Sequence, residues 1–255
     1  MTPYQRRFGG IGRLYGEKGL ERLRHSHVCV VGLGGVGSWV VEALTRSGLG
    51  ALTLVDLDDV CISNTNRQLH AVQAELGRPK AEAMARRVQA IHPECAVRAL
   101  QSFFLKSTAE AILSVHYDGV VDAIDSTREK CLLISLCQQK GLSLVTTGGA
   151  GGRRDPTALH VTDLAFTSHD QLLQEVRRIL RRDHGFPHGS EPFGIDCVFS
   201  REAPVFPQPD GTVCGTRSED EDLRLDCSSG YGTASFVTGA FGFAAAARMV
   251  QKLAG

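Results

Sequence analysis

The sequence predicts an α/β fold in which helices cover both faces of a doubly wound, mostly parallel β-sheet. The chain has 255 residues, which is enough to bury the core of one large domain of this type. A short apolar run, Val28 to Val31, leads directly into a glycine-rich turn, as a buried parallel strand does. Further along, predicted strands alternate with predicted helices, and this alternation is typical of a parallel sheet with crossover helices.

The predicted elements follow one another through the first 152 residues. Strands are predicted at Val28 to Val31, Ala51 to Val55, Val97 to Leu100, Gly119 to Ala123 and Ser143 to Thr147. Helices are predicted at Ser38 to Ser47, Lys80 to about Ile91, Ser107 to Ser114 and Thr127 to Lys140. Pro79 stands where the second helix opens, at a position where the missing N–H of proline costs nothing.

We expect residues 153–255 to extend the same single domain on the substrate side. Two more strands are predicted, Leu159 to Asp163 and Asp196 to Phe199. The polar stretch between them, residues 168–192, is predicted to be helical from Leu172 to Arg182 and otherwise mobile. The apolar run SFVTGAFGFAAAARMV is shorter than a membrane span and contains glycines, so we expect a buried helix and no membrane association.

Composition limits the possible partners. Lys+Arg and Asp+Glu both number 28, so the formal net charge is zero. A global basic field is absent, which disfavours DNA as a partner and requires any RNA contact to use a local patch. The chain has 8 cysteines but no CxxC pair, and its start has no apolar signal region. Free thiols in a reducing cytoplasm are therefore expected.

The glycine-rich turn predicts a Rossmann-like nucleotide site and makes residues 1–152 the nucleotide-binding core. Its sequence GLGGVG carries Gly32, Gly34, Gly35 and Gly37 between a strand and a helix. Glycines let the backbone approach phosphate oxygens, and the helix N-terminus offers N–H donors. This motif alone does not separate NAD from ATP. Asp56 ends the second strand, where a carboxylate either accepts the ribose hydroxyls or merely caps a turn.

The loop after Asp56, DLDDVCISNTNRQ, is unusually rich in polar groups. Asn64, Arg67 and Gln68 lie within five residues, and Lys80 follows twelve residues later. Asp58 is a further candidate for nucleotide contact. Nucleotidyl transfer needs such groups, because negative charge builds on the α-phosphate and the leaving pyrophosphate, whereas hydride transfer does not. The alternative is that Arg67 and Lys80 are only solvated surface charges.

An acidic residue follows another predicted strand. Asp125, in VVDAIDS, lies at the carboxyl end of that strand, which is the edge where ligands bind in open sheets. We expect a carboxylate among triphosphate oxygens to hold Mg²⁺. Asp122, three residues earlier, is the competing candidate.

Four motifs in this order resemble the E1-like adenylating superfamily, which includes ubiquitin-activating enzymes and activators of sulfur carriers. The motifs are GLGGVG, DLDDVCISNTNRQ, GRPKAE and DAIDS. The resemblance implies that Mg-ATP converts a carboxylate into an acyl-adenylate. It assigns the ribose to Asp56, the phosphates to Asn64, Arg67 and Lys80, and magnesium to Asp125.

The same resemblance implies an isologous homodimer. In the superfamily, an N-terminal arginine often reaches the γ-phosphate bound by the other subunit, and here the candidates are Arg7, Arg6 or Arg13. The resemblance leaves open whether a monovalent cation, Na⁺ or K⁺, binds as well.

Segments outside these motifs point to one branch. VTTGGAGGRRDPT, DCVFSREAPVFPQPDGTVCG and DCSSGYGTASFVTGAFGF resemble the tRNA threonylcarbamoyladenosine dehydratases over essentially the whole chain. That family uses ATP to cyclise the threonylcarbamoyl group of the modified adenosine at position 37 of tRNA. The resemblance therefore implies tRNA as a partner, and links to cysteine-desulfurase and sulfur-acceptor proteins. Sulfur-carrier activators usually have two CxxC pairs for zinc, which this chain lacks.

Two assignments stay open at this stage. Cys227, in LDCSSGYG, is either a nucleophile that forms a transient thioester or a small packed residue. Arg177, Arg178, Arg181 and Arg182 are either a solvated helical face or a contact for the tRNA backbone. The competing functions are an activator of a ubiquitin-like or sulfur-carrier protein, a non-catalytic scaffold for a desulfurase system, and an NAD oxidoreductase, which the polar loop disfavours.

Overall fold

The computed structural model describes residues 2–208, 210–215 and 231–255. Seven strands form one sheet in the order β3-β2-β1-β4-β5-β7-β6. They are β1 His27–Val31, β2 Ala51–Val55, β3 Ala96–Leu100, β4 Gly119–Asp122, β5 Leu144–Thr147, β6 Leu159–Asp163 and β7 Asp196–Ser200. β6 runs antiparallel to β7, and the other neighbouring pairs are parallel. The predicted mostly parallel sheet is therefore confirmed.

Helices cover the sheet, and two short strands form a separate ladder. The helices are α1 Pro3–His25, α2 Gly37–Arg46, α3 Lys80–Ile91, α4 Ala109–Ile112, α5 Thr127–Gln139, α6 Gln171–Asp183 and α7 Ser235–Ala254. The two short strands, β8 Phe206–Pro207 and β9 Val213–Cys214, pair antiparallel. Several predicted bounds differ by a residue, α4 is clearly shorter than Ser107 to Ser114, and Pro79 caps α3 instead of lying inside it.

Helix α1 was not predicted. A capping box at Thr2 starts it, with the Thr2 side chain and the Gln5 side chain each accepting a backbone N–H. Tyr4 and Phe8 are 3% exposed and pack with Leu20 in a small cluster of their own. The helix kinks at Gly16, whose φ of +77° suits glycine. Burial of these aromatic side chains therefore stabilises a segment whose glycines disfavour a helix.

Helix α7 is a core element, which confirms the prediction of a buried helix. Phe241 and Met249 are fully buried in the same cluster as Val28 of β1. A Cβ at Gly242 would stand 2.7 Å from the carbonyl oxygen of Val36, so this glycine lets α7 approach α2 closely. Among the described residues, no helix combines the length and apolarity that a membrane crossing requires.

Strands from the C-terminal part of the chain lie in the same sheet as the strands from the N-terminal part. β7 lies between β5 and β6, so the predicted substrate-side extension supplies two strands to the same sheet. Segment 168–192 is packed as well, since Leu173, Val176 and Leu180 are 0% exposed and Phe186 is 2% exposed. The division at residue 152 and the mobility of this segment stay predictions.

Candidate nucleotide site

Three neighbouring strands end at one edge of the sheet, and the candidate residues lie there. Gly32 follows β1, Asp56 follows β2 and Asp125 comes three residues after β4. Strands β2 and β3 lie on one side of β1, and β4 lies on its other side. The direction in which strands are added to the sheet therefore reverses between β1 and β4. Open α/β sheets bind ligands at such a reversal, outside the carboxyl ends of the strands.

The glycine turn leaves an open approach beside Gly34. A Cβ at Gly37 would meet the carbonyl oxygen of Gly32 at 1.8 Å, so Gly37 is required by the turn itself. At Gly34, the nearest atom to an added Cβ is Gln68 Nε2, at 3.9 Å. In the first turn of helix α2, the N–H groups of Ser38 and Trp39 already donate to the carbonyl oxygens of Gly34 and Val36. The N–H groups of Gly35 and Gly37 have no acceptor among the described residues. This turn therefore has both the space and the donors that a phosphate group needs.

Asp56 is held in place by backbone donors. Its Oδ2 accepts from the N–H of Leu33 at 2.6 Å, and its Oδ1 accepts from the N–H of Asp58 at 2.9 Å. Burial raises the pKa of the Asp56 carboxyl, while Lys80 and the two backbone N–H groups oppose that rise. The carboxylate is thus fixed in orientation beside the glycine turn, where a ribose would lie.

Lys80 is buried and paired, so the alternative of a solvated surface lysine is wrong. It is 5% exposed, and its Nζ donates to Asp58 Oδ2 at 2.8 Å. The backbone N–H of Lys80 also donates to the carbonyl oxygen of Asp58 at 2.9 Å. Asp58 orients the ammonium group of Lys80 in this structure, and its role as a nucleotide contact stays a prediction.

Arg67 is clamped at its backbone and at its guanidinium group. Its carbonyl oxygen accepts from Trp39 Nε1 and from Thr238 Oγ1, both at 3.1 Å. Its Nη1 donates to the Ser63 carbonyl oxygen at 2.9 Å and to Asn66 Oδ1 at 3.1 Å. Among the described residues, no carboxylate pairs with Arg67, and Nε and Nη2 have no acceptor. This guanidinium group keeps its charge and part of its donor fork for an anion.

The two amides of the loop have different surroundings. Asn64 is 4% exposed, and its Oδ1 accepts from the N–H of Cys61 at 3.0 Å, so Asn64 shapes the loop. Gln68 is 6% exposed, and its Oε1 has no hydrogen-bond partner among the described residues. Buried polar atoms normally have partners, so this oxygen is an unsatisfied acceptor within the loop.

His70 was missed by the sequence analysis. It is 4% exposed, and neither ring nitrogen has a hydrogen-bond partner within the described chain. Burial, together with the charge of Lys80, lowers the pKa of His70 from 6.5 to about 4. The ring is therefore neutral at physiological pH. A histidine two residues after Gln68 gives no sequence signal of burial, so this feature required the structure.

The structure separates the two acidic candidates for magnesium. Asp122 is 0% exposed, and its Oδ2 accepts from Lys130 Nζ at 2.7 Å and from Thr146 Oγ1 at 2.6 Å. Asp125 is exposed at the same edge of the sheet as the glycine turn. An accessible carboxylate fits Mg²⁺, whereas Asp122 is already saturated by internal partners. The geometry favours Asp125.

Arg7 lies away from the nucleotide cluster of its own chain, so its predicted contact with the γ-phosphate of the other subunit stays a prediction. Its Nη1 donates to the carbonyl oxygen of Ile91 at 2.5 Å. Ile91 ends α3 and Lys80 begins it, and the two ends of a helix of 12 residues lie about 16 Å apart. Only a second protomer could bring Arg7 to a nucleotide. Cys227 lies outside the described residues.

The arginines of α6 already have partners in the protein. Arg178 pairs with Glu175 at 2.5 Å, and Arg182 pairs with Asp183 at 2.6 Å. Arg181 donates to the carbonyl oxygen of Pro187 at 3.1 Å and lies over the ring of Phe193. Arg177 donates to the hydroxyl of Thr167. These contacts favour the solvated helical face over the RNA contact.

Comparison with known proteins identifies the family. The profile of the ThiF family matches residues 4–255. The chain belongs to the ThiF family. A tRNA threonylcarbamoyladenosine dehydratase from Escherichia coli K12 is 50% identical over 252 residues, which cover 98% of this chain and 94% of that protein.

Solved structures give the same relationship. A crystal structure of the E. coli tRNA N6-threonylcarbamoyladenosine dehydratase in complex with ATP is 45% identical, with a TM-score of 0.86. A complex of that protein with AMP is 46% identical, also with a TM-score of 0.86. Each alignment covers 98% of this chain and 94% of the other. The fold, including β6, β7 and α7, is therefore shared along nearly the whole length.

Proposed function

We propose that this chain is an ATP-dependent tRNA threonylcarbamoyladenosine dehydratase. It cyclises the threonylcarbamoyl group of N6-threonylcarbamoyladenosine at position 37 of tRNA by adenylating its carboxylate. The observation that carries the proposal is 50% identity to a dehydratase over 98% of the chain. The match extends far beyond the adenylating motifs, which related activators of carrier proteins share.

The site residues have complementary roles in binding ATP. Asp56 accepts the ribose hydroxyls, and the glycine turn with the first turn of α2 holds phosphate oxygens. Arg67 and Lys80 stabilise the charge that grows on the α-phosphate and on the departing pyrophosphate. Asp58 keeps Lys80 oriented through its contact at 2.8 Å. Asp125 would hold Mg²⁺, which supplies further neutralisation of the phosphate charge.

The reaction has two steps. A carboxylate oxygen of the threonyl group attacks the α-phosphorus of ATP, and pyrophosphate leaves with the electrons of the broken P–O bond. A nitrogen of the same substituent then attacks the activated acyl carbon, AMP leaves, and the nitrogen loses its proton. The ring that forms lacks one water relative to the substrate. Because the second step is intramolecular, proximity accelerates it strongly.

Cys227 is proposed to line the site, and its covalent role is open to a direct test. A thioester would require an accessible thiolate of low pKa. Serine preserves the size of the side chain but is a far poorer nucleophile. Substantial residual activity of the Cys227→Ser variant would exclude an obligatory thioester and leave adenylation unaffected.

The assembly and the partners belong to the same proposal. We expect an isologous homodimer in which Arg7, Arg6 or Arg13 reaches the γ-phosphate of the other subunit. The tRNA substrate puts the activity in the cytoplasm, and cysteine-desulfurase or sulfur-acceptor proteins are candidate partners. Binding of Na⁺ or K⁺ is a further part of the proposal that needs measurement.

The deciding experiment incubates the protein and Mg-ATP with modified and unmodified tRNA. We expect AMP release and a nucleoside lighter by one water with modified tRNA alone. AMP formation with a carrier protein ending in Gly-Gly, and none with tRNA, would favour the alternative of a carrier-protein activator. Thermal stabilisation by NAD but not by ATP would contradict adenylation altogether.

A further inference from the structure

Residues 231–234, here called the strap, connect two loops at the carboxyl edge of the sheet. At one end, the N–H of Gly152 donates to the carbonyl oxygen of Gly232 at 2.8 Å. Tyr231 packs over the loop after β5, since a Cβ at Gly151 would stand 2.9 Å from the Tyr231 Cβ. At the other end, Thr233 meets Asn66 in the nucleotide loop. The strap therefore bridges the β5 loop and the nucleotide loop.

Asn66 contacts the strap and Arg67 with opposite ends of one amide group. Its Nδ2 donates to the carbonyl oxygen of Thr233 at 2.8 Å and to Thr233 Oγ1 at 3.0 Å. Its Oδ1 accepts from Arg67 Nη1 at 3.1 Å. An amide NH₂ has two protons to donate, so both are used on Thr233. Although Asn66 is exposed, its side chain is fully engaged.

The amide works in one orientation only. If it were flipped, its NH₂ group would face the Arg67 Nη1 donor and its oxygen would face the Thr233 carbonyl oxygen. Both contacts would then be repulsive, because arginine offers only donors and a carbonyl only accepts. The contacts of Asn66 with Thr233 therefore hold the amide oxygen towards Arg67 Nη1.

We propose that Asn66 is a positioning residue that couples the ATP-binding guanidinium of Arg67 to the strap and to the β5 loop. This inference rests on the proposed function, which gives phosphate binding to Arg67, and it adds that the substrate binds on the side of the strap. Phosphate bound at Arg67 and substrate bound against the strap favour the same amide orientation. The coupling is reciprocal: ATP tightens substrate binding by the factor by which substrate tightens ATP binding.

The test measures ATP affinity by calorimetry with and without modified tRNA, using a non-cleavable ATP analogue. We expect the intact protein to bind the analogue more tightly with tRNA, within the range of about 5- to 150-fold that is common for such coupling. Asn66→Leu keeps the approximate shape but removes all three hydrogen bonds, so the ratio should fall to about 1. Thr233→Val removes only the hydroxyl contact and should give an intermediate ratio.

Thr65→Val is the matched control. Thr65 is exposed in the same loop, and its Oγ1 donates to the Ile62 carbonyl oxygen at 2.7 Å, a bond that does not involve the strap. This variant should keep the ratio of the intact protein. Full coupling in Asn66→Leu, or an equal loss in Thr65→Val, would overturn the inference.

A kinetic comparison separates this inference from the proposed function. If Asn66 acts by coupling, Asn66→Leu should raise the KM for ATP at saturating tRNA more than it lowers kcat, with unchanged thermal stability. An intact protein that makes cyclised nucleoside but shows no coupling contradicts the inference alone. An intact protein that makes no cyclised nucleoside contradicts the proposed function instead.

Discussion

The arginines of α6 and Arg67 of the nucleotide loop look equally suited to phosphate in the sequence, yet their surroundings differ. In α6, Arg178 and Arg182 are paired with Glu175 and Asp183. Arg67 in the nucleotide loop has no carboxylate partner among the described residues, and its free donors lie at the ligand-binding edge. We expect the absence of an internal partner, more than local charge density, to separate a phosphate-binding arginine from a solvated one.

The same contrast holds for buried polar groups. Beneath the sheet edge, Asp122 and Lys130 are 0% exposed and satisfy each other together with Thr146. In the nucleotide loop, Gln68 and His70 are almost as buried but have atoms with no hydrogen-bond partner in the described part of the chain. Unpartnered buried groups cost stability. We therefore expect the saturated cluster to contribute more to the stability of the fold.

The largest effect is expected at the saturated cluster. Replacing Lys130 with methionine leaves the Asp122 carboxylate buried without its counter-charge. Loss of one partner of a buried pair lowers the free energy of unfolding by about 3–5 kcal/mol. Urea unfolding measures this loss. Lys140→Met is the control, because its contact with the exposed Glu110 should contribute less than about 1 kcal/mol. If both variants lost the same free energy of unfolding, the buried pair of Lys130 and Asp122 would have no special role in stabilising the fold.

The next effect is on activity. Arg67→Ala and Lys80→Ala should each lower kcat/KM for ATP by about 10²-fold or more, the scale for losing one preorganised charge contact. Arg178→Ala is the matched arginine control and should leave kcat/KM within experimental error. AMP formation at several ATP concentrations gives these values. Near-normal turnover in Arg67→Ala would remove the distinction between the two groups of arginines.

His70 should make stability depend on pH. Its pKa is about 4 in the folded protein against 6.5 for a free side chain, so the unfolded chain binds the extra proton between these values. The contribution of the neutral His70 ring to the free energy of unfolding is complete above pH 6.5 and declines as the pH falls towards 4. At pH 5, the loss is about 2 kcal/mol.

The comparison for His70 uses urea unfolding at pH 5 and pH 7.5. Between pH 7.5 and pH 5, the free energy of unfolding should fall less for His70→Leu than for the intact protein. The difference between the two decreases should be about 2 kcal/mol. His188→Leu, at an exposed histidine, should follow the intact protein. Parallel pH profiles for the intact protein and His70→Leu would show that His70 is not held neutral by burial.

The smallest effect is expected for the arginines of α6. A double variant, Arg178→Gln with Arg182→Gln, should bind tRNA with an unchanged dependence on salt, because both charges are already paired. Each lost phosphate contact would reduce the slope of log affinity against log salt by about 1. A slope reduced by about two units would instead put α6 on the RNA. In that case the presence of an internal ion-pair partner would not distinguish solvated arginines from arginines that bind phosphate.

Most of the sheet could be predicted from the sequence. The bounds of β2 and β6 match their predictions, and for β2 the apolar run is delimited by Gly50 and Asp56. Helix α1 was missed, since its glycines weaken the helical pattern and its stability comes from aromatic side chains packed against other elements. Secondary structure that depends on tertiary burial gives a weak signal in a single sequence.

For the candidate site, motif spacing predicted which residue types lie at the edge but not what each side chain contacts. Asp58 was expected on the nucleotide and pairs with Lys80. Asp122 and Asp125 could be distinguished only by burial. Asn66 was passed over between Asn64 and Arg67, because its role depends on Thr233, which is 167 positions away along the chain. Contacts of such separation leave no local pattern.

The bond from Thr238 to the Arg67 carbonyl oxygen has a consequence for biosynthesis. Thr238 belongs to α7, so the loop that carries Arg67 gains this anchor only after α7 has left the ribosome and packed. The parallel partner of β5, β7, also arrives late, after about 50 further residues have been made. A nascent or prematurely terminated chain therefore lacks a complete adenylation site. Only molecules whose synthesis has reached α7 would cleave ATP.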